Sequence, residues 1–208
     1  MRLYLLSFAL LSSWAFAQLP VPKSKPIIGA RHPALNPEGN QIAFVYRGDI
    51  WKAKSTGGQA KPITFHLEYD GYPVFSPDGN WIAFGSKRHG QFDIFIIPSE
   101  GGTPRRLTWH SGHEIPFGWN PNGKKLAFGA RRNRPAYEIL TVDVSTLKTE
   151  VVCEDYAILR YPRWSPDGKV MLYSRYGMPW YRPRYRGSAA AQVWTYDLQS
   201  NKRSKLLG

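Results

Sequence analysis

Short apolar stretches separated by turn residues recur along most of this chain. Four segments share one layout, and they read "HPALNPEGNQIAF", "YPVFSPDGNWIAF", "IPFGWNPNGKKLAF" and "YPRWSPDGKVMLY". The prolines of their turns are separated by 40, 44 and 45 residues. A repeat of this length indicates one supersecondary unit that is stacked several times.

A tight turn lies at the centre of each segment. A proline sets φ near about −65° at the second turn position, and a glycine two residues later can take the left-handed conformation that leads into a strand. The predicted repeat-turn residues are Pro37, Gly39, Pro77, Asp78, Gly79, Pro121, Gly123, Pro166, Asp167 and Gly168. We therefore predict a β-hairpin in every repeat.

Further apolar runs follow each turn. In the second repeat they are "WIAFGS", "FDIFIIP" and, after the turn "SEGGT", the short strand "PRRLT". With the strand before the proline, each repeat holds four strands, which predicts an all-β fold, a β-propeller of four-stranded antiparallel blades. A β-sandwich is the alternative, but it does not predict the same proline, glycine and aromatic residue in every repeat.

The chain divides into three predicted parts. Residues 1–17 combine the cation of Arg2, an apolar run and the small residues Ala15 and Ala17, as in a signal peptide cleaved after Ala17. That run is shorter than the roughly 20 residues of a membrane-spanning helix. We expect no transmembrane segment after cleavage, and a periplasmic or secreted location. Residues 18–29 form a lead-in, and residues 30–208 hold the repeats, at about 30–68, 69–112, 113–156 and 157–208.

Composition supports one globular unit with a hydrophobic core. Hydrophobic residues make up 42% of the 208 residues, and Cys153 is the one cysteine, so the core cannot depend on an internal disulfide. Cys153 lies in the apolar run "EVVCED" without an identifiable base, which favours a strand residue over a nucleophile.

The chain is strongly basic. Lys and Arg number 28 against 15 Asp and Glu, a net charge of +13, and the basic clusters are expected mostly in turns or loops. Nucleic-acid binding is one interpretation, but an exported protein rarely meets nucleic acid, so no nucleic acid is expected as a partner. We favour the interpretation that the basic side chains are simply solvated at the surface. If they bind a partner, the expected partners are acidic peptides, an acidic protein surface or anionic envelope polymers.

One basic segment, "MPWYRPRYRGSAAA", separates the second and third strands of the fourth repeat. It is about fifteen residues long, whereas the second repeat has "KRHGQ" there. We predict an interaction loop that packs on the blade or contacts another subunit, with a polyanion site as the alternative. Its candidate residues are Trp180, Arg182, Arg184, Tyr185 and Arg186.

Catalytic and metal-binding patterns are not found in the sequence. No nucleophile-elbow motif occurs, and "HSGHE" at 110–114 contains a glycine and is followed by a proline, which indicates a loop rather than a helical zinc motif. His66 and His110 share one repeat position, which suggests a role in the connectors, whereas His32 and His89 show no partner. We predict no catalytic residue, no metal and no cofactor in these residues.

Two other groups of residues have structural interpretations. Acidic residues in or beside the third strands, and in the turns, are expected to support the fold rather than to form an acid and base pair. Large aromatic residues at recurring strand positions are expected to pack between neighbouring blades; they are Trp51, Phe95, Trp119, Trp164 and Trp194.

The pair "FSPDGNWIAF" and "DIFIIPSEGGTPRRLT" resembles the WD-like propeller repeats of three families. They are TolB proteins, the N-terminal propeller of tricorn-type serine proteases, and the propellers of the dipeptidyl-peptidase group. The resemblance covers about residues 30–207. TolB proteins carry an α/β domain before the propeller, and the predicted lead-in has no room for one. The tricorn-type proteases resemble this chain in the order of a signal peptide followed by repeats. The arginine-rich "YRG" element of the fourth repeat is also similar to an element at a comparable place in tricorn-type propellers.

The resemblance implies six or seven blades, so the four repeats are expected to be an incomplete propeller. It also implies a non-catalytic part of an exported tricorn-like serine protease that guides or filters peptide substrates or mediates protein contacts. The full-length protein would then be a serine peptidase, with a homo-oligomer as a further expectation. A TolB-like interaction propeller without enzyme activity and a dipeptidyl-peptidase-like hydrolase are the alternatives.

Overall fold

A computed structural model describes residues 25–132, 138–176 and 190–207 of the chain. The described residues form sixteen β-strands in four antiparallel sheets, and each sheet contains four consecutive strands. This confirms the predicted all-β fold of four-stranded blades. Within the described residues, no helix is long and apolar enough to cross a membrane.

Each blade uses four consecutive strands, and the blades are numbered 1 to 4 in chain order. The strands are β1 (Arg31–Leu35), β2 (Gln41–Tyr46), β3 (Asp49–Lys54), β4 (Lys61–Pro62), β5 (Asp70–Phe75), β6 (Trp81–His89), β7 (Gln91–Pro98), β8 (Arg105–Arg106), β9 (Glu114–Trp119), β10 (Lys125–Ala130), β11 (Glu138–Asp143), β12 (Thr149–Cys153), β13 (Ile158–Trp164), β14 (Val170–Tyr176), β15 (Gln192–Asp197) and β16 (Arg203–Leu207).

The predicted repeat turns join the first and second strands of each blade. Gly39, Gly79, Gly123 and Gly168 have φ between +70° and +73°, the left-handed region that a glycine enters at little cost. In the turn of blade 2, the Gly79 N–H donates to the Ser76 carbonyl over 2.9 Å. Asp78 accepts hydrogen bonds from the Ser76 hydroxyl and the Asn80 N–H. These bonds satisfy the turn locally and set the direction of β6.

Apolar side chains from neighbouring blades form three core clusters. Phe84 and Phe95 of blade 2 lie in the cluster shared with blade 1, and their rings stack with centroids 5.9 Å apart. Trp119 of blade 3 packs on blade 2 and donates its indole N–H to the Val74 carbonyl over 3.2 Å. The third cluster joins blades 3 and 4, and Trp164 and Trp194 pack against it.

Trp51 does not pack between two described blades, although this was predicted. It is half-buried on the face of blade 1 away from blade 2, where it lines a concave surface with Phe44, Tyr46 and lead-in residues such as Ile28. Four of the five aromatic residues therefore pack between described blades or against their shared clusters, and Trp51 does not.

The first strand of each blade is the innermost one. β1 packs on β5, β5 on β9, and β9 on β13, so these four strands line the central space of the arc. Each first strand is irregular in its pairing with the second strand. In three of these bulges a residue other than glycine has a left-handed φ, namely +50° at His32, +57° at Tyr72 and +56° at Tyr161.

Candidate functional site

The two ends of the blades differ in their loops. One end, the turn rim, carries the proline turns and the turns between third and fourth strands. The other end, the connector rim, carries the links between blades, at 63–69, 107–113 and 154–157, and the hairpin tips between second and third strands. All five histidines lie at or beside the connector rim: His32, His66, His89, His110 and His113.

Aromatic rings at the connector-rim end of the blades form a continuous series that we call the channel mouth; two lie in inner strands, one in β7 and one in a connector. The rings of His32 and Tyr72 have centroids 4.2 Å apart, and Tyr72 meets Phe92 at 5.7 Å. Phe92 contacts His113 of the next connector, also at 5.7 Å. The series links blades 1, 2 and 3. It also gives His32 a partner that the sequence did not show.

A second aromatic contact joins blades 3 and 4. The rings of Phe117 and Tyr161 have centroids 5.8 Å apart, and Tyr161 is 54% exposed. His89, another histidine without a predicted partner, stacks on Phe95 at 6.1 Å. Large rings with partly exposed faces can bind apolar side chains of a ligand.

Buried ion pairs lie beneath this surface. Asp70 at the start of β5 pairs with Arg88 over 2.8 Å, and Glu114 at the start of β9 pairs with Arg132 over 2.6 Å. Both carboxylates are fully buried, and each acid precedes its arginine by 18 residues. Sequence reasoning missed these pairs, although the shared spacing was a usable signal.

Several of the basic clusters do not lie in turns or loops, although this was predicted for most of them. Arg88 lies in β6, and Arg105 and Arg106 form β8, rather than turns or loops. The Arg106 guanidinium pairs with the buried Asp93 over 2.7 Å. Among the described residues, the charges of Arg88, Arg106 and Arg132 are thus balanced by carboxylates that are at most 2% exposed, and these arginines are less available to a polyanion.

Two of the buried acids lie close together across the interface between blades 2 and 3. Burial raises the pKa of Asp93, although Arg106 opposes the shift. Burial also raises the pKa of Glu114; the hydrogen bond from Thr108 and the charge of Arg132 oppose this, while the charge of Asp93 adds to it. Because both side chains are buried, they support the interface and are not accessible to a substrate.

Two threonines that follow the fourth strands bond to acids and to the backbone: Thr64 donates to Asp49, and Thr108 bonds to Glu114. The hydroxyl of Thr64 accepts from the Ile50 N–H, and that of Thr108 accepts from the Ile94 N–H, each over 2.9 Å. In blade 3 Cys153 takes this position, opposite Ile139. It is a strand residue that is 1% exposed, and burial raises its thiol pKa, so a reactive thiolate is disfavoured.

The histidines of the connectors have the repeated role that the sequence suggested. His66 Nδ1 accepts from the Glu68 N–H over 3.0 Å, and His110 Nδ1 accepts from the Gly112 N–H over 2.9 Å. Residues 110–113 form the predicted loop, and Glu114 begins β9. Among the described residues, no three His, Cys, Asp or Glu side chains are grouped to hold a metal ion.

The predicted interaction loop lies outside the described residues, with Trp180, Arg182, Arg184, Tyr185 and Arg186. β14 ends and β15 begins at the connector rim. The repeat-turn residues lie at the opposite end, where they shape the hairpins. The channel mouth, which was not predicted, is therefore the candidate site among the described residues.

Comparison with known proteins shows similarity to propellers of two kinds. Residues 30–208 match the sequence model of the tricorn protease N-terminal beta propeller domain. Over 63 residues the chain is 32% identical to tricorn protease homolog 1 of Streptomyces coelicolor, and the match spans 30% of this chain and 6% of the relative.

Solved structures share the fold at low sequence identity. TolB from Acinetobacter baumannii has a TM-score of 0.69 at 22% identity, over 86% of this chain and 43% of that one. The tricorn protease has a TM-score of 0.68 at 20% identity, over 86% of this chain and 18% of that one. The chain spans less than half the length of each of these relatives.

Proposed function

Because the chain belongs to the family of tricorn protease N-terminal beta propeller domains, we propose that it is the non-catalytic propeller part of an exported, tricorn-like serine protease. In this proposal, the channel mouth binds peptides and guides or filters them on their way to a catalytic region elsewhere in the full-length protein. The catalytic serine and its partners would belong to that region.

The channel mouth is the observation that carries this proposal. Its rings come from three blades and from the connectors, and two of them, His32 and Tyr72, are held at left-handed φ values that cost free energy. Residues other than glycine keep a strained backbone only where the surrounding structure holds them, and such residues are concentrated at binding and active sites. Aromatic faces and backbone irregularities at a channel entrance suit an extended peptide with apolar side chains.

Peptide binding by the 208-residue chain tests the proposal. The change is Tyr72→Asn together with His32→Asn, because asparagine tolerates the left-handed backbone and removes the ring. We expect affinity for short, apolar, unstructured peptides to fall about tenfold or more. Fluorescence anisotropy with labelled peptides measures it.

Asn201→Gly is the matched control, since Asn201 also has a left-handed φ, +55°, but lies in the last turn on the turn rim. Its affinity should equal that of the unaltered chain. Equal binding by the double variant would contradict a role for the channel mouth.

A TolB-like interaction propeller is the second candidate, because TolB from Acinetobacter baumannii shares the fold over 86% of this chain. The full coding sequence distinguishes the two. A serine-hydrolase region in the same polypeptide supports the tricorn-like proposal, and a polypeptide that contains propeller blades without such a region supports the TolB-like one.

A further inference from the structure

Large apolar side chains are exposed on three consecutive connectors. Phe65 is 79% exposed, Trp109 is 57% exposed and Tyr156 is 93% exposed, and Leu67 is fully exposed beside Phe65. We call these four residues the rim anchors. They lie on the connector rim and are separate from the aromatic contacts of the channel mouth. Grouped exposure of this kind marks an interaction surface.

The connector of Phe65 and Leu67 is held by its own hydrogen bonds. Asp49 Oδ1 accepts from the Thr64 hydroxyl and from the His66 N–H, each over 3.1 Å. His66 in turn accepts from the Glu68 N–H. The backbone between the two apolar residues is therefore fixed, and their exposure is a property of an ordered loop.

Trp109 is supported from below by a paired arginine. The Arg106 guanidinium lies 5.5 Å from the Trp109 ring centroid, donates to the Thr108 carbonyl over 2.8 Å, and pairs with the buried Asp93. This contact orients the indole while more than half of the side chain stays in solvent. An aromatic residue held in this way loses little conformational entropy when a partner binds.

The connector of Tyr156 is anchored on both sides of the exposed ring. Asp155 Oδ1 accepts from the Ala157 N–H over 3.0 Å, and the Asp155 carboxylate pairs with Arg175 over 2.9 Å. Three blades therefore present apolar anchors on fixed loops at one rim.

Charge indicates which partner fits this surface. Arg47 is an exposed cation at the hairpin tip of blade 1, and Lys87 lies over the Phe92 ring at 5.1 Å beside the connectors. Of the acids at this end, Asp70, Asp93 and Glu114 are buried and paired, and Asp155 pairs with Arg175. Exposed Glu68 and half-buried Glu154 are opposing charges, but the whole chain carries +13.

We propose that the rim anchors dock an acidic polypeptide segment that carries apolar side chains. Apolar side chains of the segment contact the rim anchors, and its carboxylates face the cations of the rim. Nucleic acid fits less well, because phosphate binding needs free arginine or lysine charges, and Arg88, Arg106 and Arg132 are already paired. The proposal does not depend on peptide binding at the channel mouth.

The test uses the full 208-residue chain and labelled synthetic probes in fluorescence anisotropy. The probes are a peptide that alternates glutamate and leucine, its charge-reversed lysine version, polyglutamate, and a single-stranded DNA oligonucleotide. We expect the acidic, apolar peptide to bind about tenfold or more tightly than each other probe, and higher salt to weaken it.

The variant Phe65→Ala, Trp109→Ala, Tyr156→Ala should reduce this affinity about 100-fold, since each lost anchor is expected to cost several-fold. The matched control, Leu206→Ala with Leu207→Ala, removes exposed apolar residues from β16 and should leave the affinity unchanged. Hydrogen exchange should show added protection at 64–69, 108–113 and 154–157 when the peptide binds.

Three results would overturn the proposal: equal binding by the triple variant when its circular dichroism is native, equal binding of the lysine peptide, or tighter binding of the DNA. Because the channel-mouth residues are unchanged in the triple variant, loss of binding at the rim is distinguishable from failure of the proposed peptide function.

Discussion

At the scale of single residues, blades 2 and 3 differ in how they stabilise their buried acids. Glu138 begins β11 opposite Ala130, as Asp93 lies opposite Ser86 in blade 2. Blade 3 has Val151 and Cys153 where blade 2 has Arg106 and Thr108. Among the described residues, neither carboxylate oxygen of Glu138 has a hydrogen-bond partner. Such changes keep the strand pattern but alter the polar contacts beneath the rim.

The Asp70 and Arg88 pair gives a test at this scale. Asp70→Asn should lower the free energy of unfolding by about 3 kcal/mol, because it leaves the Arg88 charge with little solvent and no carboxylate. Urea denaturation measures the loss. Replacing both residues, Asp70→Asn with Arg88→Met, should recover part of it.

Lys148→Ala is the control for that series, since it removes an exposed pair with Glu150 and should cost less than about 1 kcal/mol. If Asp70→Asn lowers the free energy of unfolding no more than Lys148→Ala does, the buried pair contributes no more to stability than the exposed pair, which contradicts the prediction.

At the scale of elements, the same proline turn occurs in each of the four blades. Its glycine is left-handed in all four blades. In blades 2 and 4 a serine hydroxyl donates to the aspartate that follows the proline, Asp78 or Asp167. This bond is the main cause of the lowered pKa of Asp78. Because all these contacts lie within five residues, the turn is determined locally.

Gly79→Ala should lower the free energy of unfolding by about 1 kcal/mol, since φ is +70° at this position and a Cβ is disfavoured there. Thermal and urea unfolding of the 208-residue chain measure the effect. Gly79→Asn should cost less, because asparagine adopts the left-handed region more readily. Equal losses for the two variants would point to crowding at the turn rather than to the backbone conformation.

At the scale of the whole molecule, the four blades form an arc, and among the described residues no further blade packs on the free face of blade 1 or of blade 4. Strand packing runs between consecutive blades. Trp51 and Tyr46 line the free face of blade 1, while Leu206 and Leu207 in the outermost strand of blade 4 are exposed. Further blades, as the family resemblance implies, would cover such faces in a longer protein. In the isolated chain the faces remain apolar surfaces that favour association.

The 208-residue chain alone should therefore self-associate with rising concentration, and high salt should not prevent it. Sedimentation velocity measures the distribution. Trp51→Glu should shift the chain towards monomer by placing a charge on the free face of blade 1. The control Trp81→Glu, which changes a partly exposed residue next to the turn of blade 2, should not. A monomer at all concentrations would contradict this prediction.

The repeats, turns and strand order could be predicted from the sequence alone, because proline, glycine and alternating apolar residues act on neighbours a few positions away. Pro77 and Gly79 specify a turn wherever the rest of the chain lies. The structural role of Cys153 also followed from its local apolar run, and its burial in β12 agrees.

The channel mouth, the buried ion pairs and the rim anchors were decided by the tertiary structure. Tyr72 meets His32 only because blade 2 packs on blade 1, and Asp70 meets Arg88 only because β5 pairs with β6. Trp51, expected between two blades, lies instead on a free face. Local sequence determines which residues form a strand, but packing between blades determines which side chains meet, which are buried, and which remain available to a partner.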